Sequence, residues 1–200
     1  MTFGQRFARF TTDVVVRHPG LWPFFRGPLR REFDRLAPRW DSLRGPDSLA
    51  PLEAVLDRLE TPPQRVLDLG TGTGIAARLV GSRYPEADVV GVDVAERMLD
   101  EARRLTDSQR ITYRQADAER LPFDRGSFDL VTLNNMIPFF DELARVTTSN
   151  GHVAVAFTAG AETPIYVRPE RLRSELSRRG FAEFAEVSAG RGTALLARRS

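Results

Sequence analysis

Cysteine is absent from this 200-residue chain, lysine is absent too, and histidine occurs twice. Without cysteine there is no disulfide framework, thiolate metal site or thiol nucleophile. Two histidines leave little for a histidine-rich metal centre. No apolar run approaches the roughly 18–20 residues of a membrane span. Arg6, Arg9, Asp13 and Arg17 interrupt the apolar core that a secretory signal would need. These absences lead to the expectation of a soluble, cytoplasmic protein. Glycine and proline are scattered without period, which excludes collagen-like and low-complexity classes.

The remaining composition is that of an ordinary globular domain, 42% apolar and 28% charged. Its basic side chains are all Arg, and net charge is only +2. A modest total gives no reason to expect a nucleic-acid surface. The excess is local: residues 1–50 hold nine Arg and five acids, a net +4, so the rest of the chain is slightly acidic.

From about residue 65 short apolar runs alternate with amphipathic stretches. Strands are expected at 65–69, 88–92, 111–115, 128–133 and 152–157, with helices at 75–84, 95–105, 139–146 and 169–179. Asn150-Gly151 signals a turn before the fifth strand. Runs at 181–189 and 193–198 flank Gly190-Arg191-Gly192 and read as a hairpin. Strands alternating with helices predict an α/β fold, a mostly parallel sheet with helices on both faces, here closed by an antiparallel pair. Its ligand site should lie beyond the C-terminal strand ends, where strand order reverses.

Residues 1–47 stand outside this alternation and are expected to form a helical cap or lid on a domain spanning 48–200. Phe3, Phe7, Phe10 and Val14 share one helical face. Pro19, Pro23 and Pro28 should break the next stretch, leaving a short helix at 29–36. A better helix is expected at 49–59. Trp22, Phe24, Phe25, Phe33 and Trp40 add further rings. A cap burying them on the core, a lid over an apolar acceptor and a basic segment on an anionic membrane are all compatible with this composition.

The first strand runs into Asp68-Leu69-Gly70-Thr71-Gly72-Thr73-Gly74 and then a helix. Glycines there permit sharp turns and close approach of a ligand to the backbone. The spacing is not that of a dinucleotide fingerprint, whose third glycine would fall at Ile75. An acid at the strand end also suits a ligand with an ammonium and a sulfonium better than a pyrophosphate.

This segment resembles the first motif of the class I S-adenosylmethionine-dependent methyltransferases. The resemblance continues in order. Val89-Val90-Gly91-Val92-Asp93 followed by Met98-Leu99 is similar to the second motif. Gln115-Ala116-Asp117-Ala118-Glu119 with Leu121-Pro122-Phe123 is similar to the adenine loop. Ser127-Phe128-Asp129-Leu130-Val131 matches the fourth strand, and Leu143-Ala144-Arg145-Val146 with Asn150-Gly151-His152 the approach to the fifth. The match covers about residues 48–198.

It implies a Rossmann-like seven-stranded sheet and S-adenosyl-L-methionine as cofactor. By position it implies that Asp68 and the loop of Gly70, Thr71, Gly72 and Gly74 hold the methionine moiety. Asp93 would take both ribose hydroxyls. Val94 and Met98 would pack on adenine, with Asp117 and the Ala118 N–H on its edge. Asn134 would face the reactive end. The fourth strand ends Leu133-Asn134-Asn135-Met136 rather than Asn-Pro-Pro-aromatic, which argues against amino-group methylation of nucleobases. The short 136–140 segment leaves the acceptor pocket for residues 1–47 to close.

The reading is in-line methyl transfer to a small-molecule acceptor, with no nucleic-acid partner. Its alternatives are a membrane-associated enzyme acting on a lipid or quinone-like acceptor, and a cofactor-binding protein without transfer activity. No residue is singled out as a catalytic base. Asp129, inside a strand, and His152, at a strand start, read as structural. His18 reads as a loop residue, and Tyr166 as either pocket wall or packing.

Overall fold

The computed structural model describes residues 3–45 and 47–200, with the backbone alone at Phe3. Seven strands form one sheet in the order β3-β2-β1-β4-β5-β7-β6. They are β1 (Arg65–Leu69), β2 (Asp88–Asp93), β3 (Ile111–Gln115), β4 (Phe128–Asn134), β5 (Thr147–Phe157), β6 (Phe181–Ala189) and β7 (Gly192–Arg199). β1 to β5 run parallel, and β7 lies antiparallel between β5 and β6. This is the mostly parallel sheet with an antiparallel pair that the alternation predicted, and the Rossmann-like seven-stranded architecture that the resemblance implied.

Alternation within each strand sorts the core into two layers. Leu67, Leu69, Val131, Leu133, Val153 and Val155 face α6 (Phe140–Val146) and α7 (Pro169–Ser177). Val66, Val89, Leu130, Ala154 and Ala156 face α3 (Ala50–Leu56) and α4 (Ile75–Arg83). Each large aliphatic chain fully buried in this way contributes roughly 1.5–3 kcal/mol. Across β2 and β3 packs α5 (Glu96–Arg104). Asp129 accepts the Gln64 and Arg65 amides at 3.1 and 3.0 Å, stapling the entry of β1 to β4.

Three sequence expectations are corrected. β5 begins at Thr147, directly after α6. The Asn150-Gly151 turn is a kink within it: Asn150 has φ +65°, and residues between Thr147 and His152 loop out of the ladder with β4. A single helix, α2 (Trp22–Leu36), runs through both Pro23 and Pro28. Pro23 sits in the first turn, where no intrahelical N–H bond is needed. Pro28 deprives the Phe24 carbonyl of its donor on an exposed side, where water can replace it.

The third correction concerns α1 (Phe3–Arg17). Its buried residues are Thr11, Thr12 and Val15, not the face of Phe7, Phe10 and Val14; the Phe3 side chain lies outside the described residues. The Phe7 and Phe10 rings instead meet Phe25 of α2, at 6.3 and 6.2 Å between centroids. α1 therefore spends its aromatic spacing on its partner helix and turns its small polar face to the core.

Candidate functional site

Between β1 and β4 the chain's strand order reverses, so the loops after those strands diverge at the place where such sheets bind ligands. Gly70, Gly72 and Gly74 lie there with φ of +70°, +54° and +78°. The Gly70 and Thr71 amides both donate to the Val92 carbonyl at 2.9 Å, tying the turn to the end of β2. At Gly72 the left-handed backbone excludes most side chains. A Cβ there would lie 3.5 Å from Trp40 Nε1 and 3.8 Å from Arg44 Nη2. Gly70 instead lies against Met136, whose Sδ would be 2.6 Å from such a Cβ.

Register pairs Asp68 with Thr132 across β1 and β4. Asp68 is buried, and its two oxygens accept the Thr132 hydroxyl at 2.8 Å and the Thr71 hydroxyl at 2.6 Å. Burial raises its carboxyl pKa, opposed by those hydroxyls, the Arg44 charge and the Ala77 N–H. The carboxylate holds the turn against the sheet.

Asp93 ends β2 half-buried. One oxygen accepts the Gly72 amide and the other the Ala95 amide, both at 2.9 Å. Burial pushes its carboxyl up to about 6, against the pull of the Ala95, Gly72 and Val94 N–H groups, and the Asp68 charge adds to the rise. Val94 follows it, its carbonyl held by Gln115 at 3.0 Å. Met98 is buried with Ala95 beneath Ala37, Phe33 and Trp40.

The Asp117 carboxylate is engaged from the N-terminal segment. Trp22 Nε1 donates to it at 2.7 Å, Arg26 forms an ion pair with it, and the Glu119 amide adds a third bond at 3.1 Å. Ala118 beside it is buried. Asn134 lies one residue beyond the Leu69–Leu133 pair that ends the β1–β4 register. Both its amide atoms are buried without a partner. Its neighbour Asn135, at φ +56°, is fixed by Thr158, whose amide donates to it at 3.0 Å.

Residues 3–45 thus touch the loop after every parallel strand. Asp41 accepts the Thr73 hydroxyl, Asp34 the Arg97 amide, and Arg9 donates to the Ala161 and Thr163 carbonyls. Trp22 packs edge-on against Phe139 at 5.3 Å. This segment lies over the strand C-terminal ends. Asp41 and Arg44 were not picked out by sequence reasoning as parts of the site, and Trp40 was named only as one of the rings of the cap or lid. Their only local signal is an aromatic and an arginine four apart, common on any helix-like surface. Arg44 is largely withdrawn from water, which weakens its hold on its proton, while Asp41 and Asp68 favour its charge. Trp40 Nε1 and Arg44 Nε are buried without a hydrogen-bond partner among the described residues, although Arg44 Nε is ion-paired with Asp41 at 3.8 Å.

The other candidates lie elsewhere. His18 sits in the exposed turn between α1 and α2. His152 pairs with Leu130 and Arg198 at the far end of the sheet, where burial and Arg198 lower its pKa. Tyr166 packs on Phe157 at 5.1 Å and borders a small cavity of about 110 Å³ with Leu172 and Thr193.

Residues 66–151 match the methyltransferase domain family. A demethylmenaquinone methyltransferase of Thermus thermophilus is 39% identical over 137 residues, 62% of each chain. A malonyl-[acyl-carrier protein] O-methyltransferase of Legionella pneumophila is 38% identical over 104 residues, 48% of this chain and 37% of that one. The chain spans less than two thirds of the length of these relatives. The crystal structure of a SAM dependent methyltransferase from Aquifex aeolicus superimposes with a TM-score of 0.68 at 18% identity, covering 82% of this chain and 98% of the other. By sequence, residues 66–151 match the methyltransferase domain, and by fold the chain is similar to S-adenosylmethionine-dependent methyltransferases.

Proposed function

We propose that this protein transfers a methyl group from S-adenosyl-L-methionine to an apolar small-molecule acceptor. One observation carries the reading: buried donors without a hydrogen-bond acceptor, Trp40 Nε1 and Arg44 Nε, converge on a left-handed glycine turn at the sheet's switch point, Arg44 having only a distant ion pair with Asp41 at 3.8 Å. A buried donor without an acceptor costs about 1–3 kcal/mol. A carboxylate at the Gly72 turn would satisfy both, and the cofactor's methionine end carries one. Asp93 has lone pairs left for a ribose diol. Asp117 and the Ala118 amide would meet the adenine edge, with Val94 and Met98 supporting the ring. Asp68 serves by holding the turn.

When bound, the cofactor supplies a sulfonium-activated methyl and its own leaving group. The chain's part is to orient the acceptor and keep water out. Val15, Trp22, Ile137 and Phe139 form a continuous apolar cluster beside Met136, a wall suited to an apolar acceptor. The free amide of Asn134 is the polar group at its edge, able both to donate to and accept from the acceptor. The aromatic wall keeps a lipid or quinone-like acceptor in view as the second reading.

Methyl-labelled cofactor, incubated with the protein and a cell extract, should yield a labelled product that partitions into organic solvent. Label retained as bound cofactor with no product would point to a binding protein. Failure to bind S-adenosylhomocysteine in calorimetry would remove the cofactor assignment.

A further inference from the structure

We propose that the outward face of the α1–α2 hairpin rests on an anionic lipid bilayer. The hairpin has two apolar sides. Val15 and Trp22 face inward, onto the core beside the site. Phe10, Leu21 and Phe24 face out, at 58%, 40% and 75% exposure. These are three of the five large hydrophobic residues exposed among the described residues, and Leu43 of the same N-terminal segment is a fourth. Leu21 and Phe24 lie one helical turn apart. Phe10 is exposed on the neighbouring helix α1, which packs beside α2 through its edge contact with Phe25. Isolated exposed apolar residues need no explanation, but a group on one element marks a contact surface.

Charge selects the occupant. Arg6, Arg17, Arg30 and Arg31 are exposed and carry no ion pair among the described residues. The acids of the hairpin offset them only in part: Glu32 is paired with Arg35, while Asp34, which accepts the Arg97 amide, keeps its charge. Asp13 remains. A ring-bearing face bordered by unpaired arginines is complementary to anionic headgroups over acyl chains. A second copy would bring the same positive charge to the contact and be repelled. No helix among the described residues is long and apolar enough to cross a membrane, so the hairpin would lie in the interface. An apolar acceptor could then pass from the bilayer around the hairpin to its inner face. That consequence rests on the methyltransferase reading, whereas the lipid contact does not.

The test is sedimentation of the full chain with vesicles of phosphatidylcholine, with and without phosphatidylglycerol. Binding should require phosphatidylglycerol and be largely lost at about 0.5 M salt. The Leu21→Ser, Phe24→Ser double variant, at positions without a ring contact among the described residues of the hairpin, should bind at least ~10-fold more weakly, with unchanged cofactor affinity and melting temperature. Should that variant fail to fold, Arg17→Gln with Arg31→Gln, both at the surface, should weaken binding on its own. Equal sedimentation with and without phosphatidylglycerol would overturn the proposal. So would undiminished binding by the folded variants. A dimer in light scattering that the same substitutions abolish, without vesicle binding, would assign the face to a second copy.

Discussion

The strand ends that form the floor of the site present backbone and short side chains, whereas residues 3–45, its roof, reach in with long ones. On the floor, Gly70–Gly74 and Asp93 are held by bonds to one another and to β2. The roof meets that floor at two main points, Trp22 and Arg26 on the Asp117 loop and Trp40, Asp41 and Arg44 on the Gly72–Thr73 turn. The floor's geometry follows from the sheet, because strand register fixes where each loop begins. The roof's geometry depends on side chains with several rotatable bonds, fixed only once the two parts meet. If that division is right, substitutions in the floor should remove cofactor binding, and those in the roof should trim it selectively.

The largest effect is expected at Gly72. In Gly72→Val a β-branched residue must adopt φ near +54° and fill the space before Trp40 and Arg44. Cofactor binding should be lost while the fold persists, read by calorimetry alongside circular dichroism. Normal binding would mean that the ligand does not lie on this turn. Next comes Asp93→Ala, which removes the acceptor proposed for the ribose diol and also leaves the Gly72 and Ala95 amides unpaired. Cofactor affinity should fall about 100-fold or more, since two hydrogen bonds to a charged acceptor contribute about 1.5–3 kcal/mol each. Unchanged affinity in a folded variant would move the ribose elsewhere.

Arg44→Met tests the roof. It should weaken S-adenosylhomocysteine by about 10-fold, as loss of one charge-assisted contact would, and leave 5′-methylthioadenosine, which has no carboxylate, almost unaffected. Equal losses for both ligands would make Arg44 a packing residue. Deleting residues 1–47 removes Trp40 and Arg44 together, so affinity and turnover should fall together. A loss of turnover alone would show that the roof serves only the acceptor.

The same division explains what the sequence makes legible. β3 and β6 match their expected bounds because uninterrupted runs between turn signals leave no other strand register. Asp68, the glycine turn and Asp93 could be placed because each sits at a strand end, a position that topology alone defines. The Asp68 partners Thr71 and Thr132 were invisible: one is in the turn, the other 64 residues away, and only the β1–β4 register joins them. The outward aromatic face of α1 was misassigned for a related reason. Helical spacing reveals that Phe7 and Phe10 share a side, but not whether that side meets a sheet or another helix. Proline positions misled in α2, since a first-turn proline and one on an exposed side read the same in sequence as true breaks.

The smallest effect, and the one that most sharply separates floor from roof, is the pH dependence of cofactor affinity. Asp93, pushed up to about 6 by burial, titrates within reach of neutral pH, whereas the guanidinium of Arg44 keeps its charge throughout that range. A ribose diol donates to the ionised carboxylate, so bound cofactor favours the charged form. Affinity should therefore weaken as pH falls, by about twofold from pH 7.5 to 6 and about tenfold by pH 5. In the free protein the sign is opposite. The folded-state pKa lies above the ordinary value of 3.8, so this group's contribution to stability is full below about pH 4 and is lost as pH rises through about 6. Two opposed slopes from one carboxyl are a signature that Arg44 cannot produce. Melting temperature and cofactor affinity, measured across the same buffers, should diverge in the native chain. In Asp93→Asn the Asp93 part of both slopes should vanish. A native affinity that stays flat from pH 7.5 to 5 would mean that the diol is held by another group.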